Sequence, residues 1–225
     1  MKKLNKNFII GFGLLSLFVI FTILVKFVDV EAIGPLNSKV GFAGLNEIFM
    51  INQTSSVWDV VSNITMIIAL LCACMFVVIG VAEIVNRKSI KKVDKNIFVL
   101  AGLYIAIVVV YVFFEMVVIN NRPILEDGEL AASFPSSHVL ISLTLLFSTL
   151  IQLHRFYMKN NKFLFVVDII VVVICVVLVI SRMLAGVHWI TDIIGSILIS
   201  GALIYIYNGV LDKIMNNNTK DKTLE

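Results

Sequence analysis

Two arginines, two histidines and a carboxylate stand out in this chain through their neighbours and spacing. They occur as Arg122-Pro123, as Pro135-Ser136-Ser137-His138, and as Ser181-Arg182 followed by His188 and Asp192. A pair of guanidiniums can hold a tetrahedral oxyanion through fork-shaped hydrogen bonds, and two imidazoles can divide the work of nucleophile and proton donor. His188 and Asp192 are four residues apart, which on a helix puts them on one face within contact range. A carboxylate that accepts one imidazole N–H leaves the other ring nitrogen with its lone pair. Pro135-Ser136-Ser137-His138 has the form of a helix start, with Ser136 or Ser137 as N-cap and free backbone N–H groups able to face an anion. Taken singly, these pieces also have plain structural readings: a capped helix, a rim His–Asp pair, a snorkelling arginine. Their grouping points to phosphoryl-transfer chemistry at a membrane surface.

The elements that must position them are membrane helices. Of the 225 residues 60% are hydrophobic and only 15% charged, well below the roughly 25% of soluble domains. Six apolar stretches, near 8–28, 60–85, 96–119, 138–154, 163–181 and 189–210, each approach the ~20 residues a bilayer requires. The first follows Lys2, Lys3 and Lys6 but is too long for a signal-peptide core and lacks a small-x-small cleavage site, so it reads as an uncleaved span. Between spans one and two, the patch Val40, Phe42, Leu45, Ile48, Phe49 predicts a short helix at the interface. The fold class is therefore all-α: a six-transmembrane helix bundle with one interfacial helix, a single membrane domain over 1–212 and a polar tail over 213–225 expected to lack order.

Orientation follows from the basic residues. All but four of the 18 Lys and Arg fall at the N-terminus, in the 86–95 and 154–163 loops, or at the C-terminus; the exceptions are Lys26, Lys39, Arg122 and Arg182. By the positive-inside rule both termini face the cytoplasm. The motif residues then meet at the extracytoplasmic rim of a multi-pass protein of the cell membrane, because Arg122 follows span three, His138 opens span four, Arg182 closes span five and His188 opens span six. The basic residues form no extended stripe with interleaved aromatics, which argues against nucleic acid as a partner.

This pattern resembles the type 2 phosphatidic acid phosphatase superfamily, whose signatures are K-x6-R-P, P-S-G-H and S-R-x5-H-x3-D. The third is matched in full by Ser181-Arg182 through His188 to Asp192, the second with Ser137 in place of glycine, and the first by Arg122-Pro123 with Glu115 at the lysine position. The resemblance implies a phosphohistidine on His188, oriented by Asp192, with His138 protonating the leaving group. It gives Arg122 and Arg182 the phosphoryl oxygens, with Ser136 and the Ser137 amide adding hydrogen bonds. No metal or other cofactor is implied.

The expected activity is hydrolysis of a membrane lipid phosphate or diphosphate: undecaprenyl diphosphate, phosphatidylglycerol phosphate or phosphatidic acid. Glu115 opens a second reading, a catalytically silent lipid-phosphate binding protein, since it sets an anion where the family has a cation. A transporter would need polar residues along the bundle interior, of which the spans show few. Oligomeric state is not legible. Cys72, Cys74 and Cys175 read as packing residues, Asp168 and Glu83 as interfacial groups, Trp58 and Trp189 as outer-interface anchors. His154 falls at the opposite end of the bundle from the other histidines, and Asn52-Gln53-Thr54 and Asn63-Ile64-Thr65 read as chance glycosylation sequons.

Overall fold

Long apolar runs become helices in hydrocarbon because a helix satisfies its own backbone N–H and C=O groups. The computed structural model describes residues 5–51 and 54–221, the stretch 216–221 by backbone alone. Six helices, α1 (Lys6–Phe27), α3 (Ser56–Arg87), α4 (Lys95–Met116), α5 (Ser137–Gln152, continued by a π-helical turn to Tyr157), α6 (Asn161–Leu184) and α7 (Ile190–Asp221), are each long and apolar enough to cross a membrane. The short α2 (Ala43–Ile48) lies where the interfacial helix is expected. The protein is an all-helical, multi-pass membrane protein.

α5 and α7 form the centre: 61% and 50% of their spans are buried, against 17–28% for the other four. α1 lies close along α7 because glycines remove the side chains that would hold them apart. A Cβ on Gly11 would come within 2.9 Å of the Ile206 backbone nitrogen, and one on Gly209 would press on the Phe8 ring. The interior is more polar than the apolar spans suggest. α5 and α7 bury Ser142, Thr144, Ser148, Thr149, Gln152, Ser196 and Ser200. Several of these escape a hydropathy reading because they bond locally, as when the Thr144 hydroxyl donates to the Leu140 carbonyl at 2.8 Å. Gln152 accepts from Asn96 Nδ2 at 2.9 Å and donates to Tyr207 Oη at 2.5 Å, which joins α4, α5 and α7.

The far end of α7 is held by its neighbours. Asp212 accepts hydrogen bonds from Asn5, Asn7 and Arg155 at 2.7–2.9 Å, which fixes this end of α7 to α1 and to the π-helical turn Leu153–Tyr157. From that anchor the helix runs on to Asp221. Residues 1–4, 222–225 and Asn52-Gln53 of the first sequon lie outside the described residues.

At the other end of the bundle, Phe134 holds the site-bearing loop in place. It is 1% exposed, stacks on Phe18 at 6.0 Å and meets Phe114 edge-on at 5.8 Å. Gly195 of α7 makes room for it, since a Cβ there would lie 2.5 Å from the ring. The Ser196 hydroxyl donates to the Ser136 carbonyl at 3.0 Å, so the start of α5 is tied to α7. α2 docks on the start of α7 through Asn46, whose Nδ2 donates to the Gly41 carbonyl (2.8 Å) and to Thr191 Oγ1 (3.2 Å).

Candidate active site

Arg182 occupies the last turn of α6 and is 1% exposed, buried rather than snorkelling. Burying a guanidinium requires partners. Its Nη1 donates to Asp59 Oδ1 at 2.7 Å and to Ser62 Oγ at 3.0 Å, both on α3. Arg122 stands in the hairpin-like loop after α4, whose two limbs are joined by an isolated bridge between Asn121 and Ala132. Its Nε donates to the Ala132 carbonyl at 3.2 Å, and its Nη1 pairs with Glu126 at 3.2 Å.

His188 does not open a helix as expected; it lies in the turn that Gly186 makes with φ +68° before α7 begins at Ile190. Asp192 closes that turn, accepting the Trp189 backbone N–H at 2.8 Å in the manner of a capping box. His188 Nδ1 is 3.4 Å from Asp192 Oδ2, and Ser133 mediates between them. The Ser133 hydroxyl donates to Asp192 Oδ2, and its oxygen is 3.1 Å from His188 Nδ1. A hydroxyl has one hydrogen; with that hydrogen on Asp192, Ser133 accepts from His188 Nδ1–H. Nε2 then keeps the lone pair. It is buried and has no partner within the protein. Burial, then Arg182 and Arg122, push the His188 pKa well below its ordinary value, so the ring is neutral near pH 7.

Ser136 is the N-cap of α5, yet its side chain makes no cap bond, and its Oγ is buried without a partner. Ser137, the first residue of the helix, lines a narrow cleft with Arg122, Ser133 and His188. His138 follows, its Nε2 2.8 Å from Asn63 Oδ1 and its Nδ1 buried without a partner. Of ten buried, unpartnered side-chain N and O atoms among the described residues, five belong to the motif residues Ser136, His138, Arg182, His188 and Asp192. Buried polar groups are almost always bonded, so this concentration marks a place shaped for a polar guest.

Glu115 is exposed near the end of α4 and lines the same cleft. Glu115 and Arg122 are not on one helix, since α4 ends at Met116 and the chain leaves it. Among the described residues Glu115 forms no ion pair; Arg122 takes Glu126 instead. Trp189 is not an interface anchor: it is 2% exposed, and its Nε1 donates to the Asn121 carbonyl at 2.6 Å, bracing the Arg122 loop. Asn63 stands inside α3 against His138, in a helix rather than an open sequon. Asp59, Asn63 and Ser133 are the residues missed from sequence. Only Ser133 had a signal, its position two residues before the Pro135 motif. Remote from all of this, His154 bonds Asp168 at 2.8 Å. Among the described residues no group of His, Cys, Asp and Glu is arranged to hold a metal ion.

Comparison with known proteins gives two findings. Residues 119–215, which contain every motif residue except Glu115, match the PAP2 superfamily. The fold is similar to the crystal structure of a transmembrane PAP2-type phosphatidylglycerolphosphate phosphatase from Bacillus subtilis, with a TM-score of 0.61 and 19% identity over 91% of this chain and 97% of that one. Among curated proteins, none matches this chain in sequence.

Proposed function

Because residues 119–215 match the PAP2 superfamily, we propose that the chain is a member of it and hydrolyses a lipid phosphate or diphosphate through a phosphohistidine on His188. The observation that carries this is the pairing of a neutral, unpartnered His188 Nε2 with two nearby guanidiniums. Nε2 attacks phosphorus, and Arg182 and Arg122 hold the phosphoryl oxygens as charge builds on them. To do so they exchange contacts with Asp59 and Glu126 for contacts with substrate. Ser136 Oγ and the first-turn amides of α5 add hydrogen bonds, and Asp192, through Ser133, holds the imidazole in its reactive tautomer. His138 protonates the departing oxygen.

A site at the end of a membrane bundle favours substrates whose tails stay in the bilayer while the headgroup reaches the arginines. Phosphatidylglycerol phosphate, the substrate named for the B. subtilis structure, stands beside phosphatidic acid and undecaprenyl diphosphate. The distribution of Lys and Arg supports a site on the extracytoplasmic side. In the family-type mechanism no metal takes part.

The test is phosphate release by the purified protein in detergent from these three lipids, with EDTA present. The wild type is expected to release phosphate from at least one of them and His188→Ala from none. Activity retained in His188→Ala, or lost to EDTA and restored by added metal, would refute the mechanism. Glu115 on the cleft wall favours one second reading, a lipid-phosphate binder without turnover. Binding without release in the wild type, with release restored in Glu115→Lys, would establish it.

A further inference from the structure

Two residues of α3, outside the matched region 119–215, touch both working sides of the candidate site. Asp59 is in the first turn of α3 and Asn63 one turn later. Asp59 Oδ1 accepts from Arg182 Nη1 at 2.7 Å, while its other oxygen accepts from Asn63 Nδ2 at 3.2 Å. Asn63 Oδ1 then faces His138 Nε2 at 2.8 Å. The direction of this chain is determined by chemistry. A carboxylate only accepts, so the Asn63 amide must turn its N–H toward Asp59 and its carbonyl toward His138. A carbonyl also only accepts, so His138 Nε2 must carry a hydrogen. The nitrogen left for substrate is Nδ1, which is buried and has no other partner.

Resting on the phosphatase reading above, we infer that Asn63 is a positioning residue for leaving-group protonation, and that Asp59 orients both Asn63 and Arg182. Asn63 holds the His138 ring with Nε2–H bonded, and this bond strengthens when the ring becomes cationic, because a charged N–H is the better donor. The substrate binds as its monoanion and passes its proton to His138 Nδ1. In the first step His188 Nε2 forms the N–P bond as the P–O bond to the leaving group breaks, and that proton moves from Nδ1 to the departing oxygen. In the second, a water oxygen bonds to phosphorus, the N–P bond breaks, and a water proton returns to Nδ1. His138 ends the cycle as it began once Nδ1 hands that proton to the departing phosphate, with Nε2–H on Asn63 throughout.

The two roles separate by leaving group. An alkoxide needs a proton to depart and a nitrophenolate does not, whereas the grip of Arg182 on the phosphoryl oxygens serves both alike. The experiment compares kcat/KM for dodecyl phosphate and for a dodecyl-substituted nitrophenyl phosphate. It uses the full-length wild type, His188→Ala, Asn63→Ala, Asn63→Asp and Asp59→Ala in detergent, with thermal melting of each. Asn63→Ala is expected to lose about tenfold or more on dodecyl phosphate beyond its loss on the nitrophenyl ester. Asn63→Asp keeps an acceptor for Nε2–H and is expected to restore most of that difference. Asp59→Ala is expected to weaken both substrates, and chiefly through KM. Equal losses on both esters in Asn63→Ala, or no recovery in Asn63→Asp with unchanged melting, would overturn the inference. Should Asn63→Ala fail to fold, the Asn63→Asp ratio decides: a wild-type ratio supports the role and a collapsed one removes it. A wild type no more active than His188→Ala would instead overturn the phosphatase reading, and this inference with it.

Discussion

A neutral imidazole is a nucleophile and an imidazolium is not, so the protonation of His188 governs what the site can do. Burial with Arg182 and Arg122 lowers its pKa well below the ordinary 6.5. The sign is specific: a lowered pKa keeps the lone pair as pH falls through about 6.5, where an exposed histidine would lose it. Ring nitrogen NMR of protein labelled at histidine is expected to show His188 neutral near pH 6, with the hydrogen on Nδ1 as Ser133 and Asp192 require. A midpoint at or above the ordinary value, or a hydrogen on Nε2, would contradict the site as described. The same shift has a stability consequence. Below about pH 6.5 the unfolded chain takes up a proton at this residue and the folded chain does not, so its contribution to stability declines as the medium is acidified.

Helices bring these residues together, and the joints between them tolerate little. Gly41 is the tightest: a Cβ there would lie 1.6 Å from the Val25 carbonyl oxygen, at the end of α1. Its N–H donates to Asn120 Oδ1 at 3.1 Å and its carbonyl accepts from Asn46, so it joins α1, the Arg122 loop and α2. Gly41→Ala forces backbone to move and is expected to cost about 3 kcal/mol or more, seen as a lower melting temperature in detergent with loss of phosphate release. A melting temperature within a degree or so of wild type would show that the joint gives way easily. The six spans and the convergence of Arg122, His138, Arg182 and His188 at one end were legible from hydropathy and topology, because each motif residue falls at or beside a span end. Asp59 and Asn63 were not. Their partners lie 123 and 75 residues away, and the contacts arise only when α3 packs against α5 and α6. Trp189 was misread for a related reason: its burial depends on where α7 starts, which the apolar pattern blurs by several residues.

At the scale of the whole molecule, charge decides which way the bundle sits. The end that holds the candidate site carries Arg122 and Arg182, each already balanced by a carboxylate. The opposite end carries Arg87, Lys88, Lys91 and Lys92 at and after the end of α3, and Arg155, Lys159 and Lys162 around the connection from α5 to α6. Short loops rich in Lys and Arg stay cytoplasmic during insertion, so the candidate site is expected to open outward. Asp127, at the tip of the Arg122 loop, and Lys91, in the loop between α3 and α4, are both exposed and lie at opposite ends. In intact cells Asp127→Cys is expected to react with a membrane-impermeant maleimide, and Lys91→Cys only after the cells are permeabilised. The parent protein supplies the background from Cys72, Cys74 and Cys175, which lie within helices. The reverse labelling pattern would turn the bundle over, placing phosphate release in the cytoplasm and confining the substrate to lipids of the inner leaflet. Labelling outside requires instead a substrate whose headgroup reaches the outer leaflet before hydrolysis.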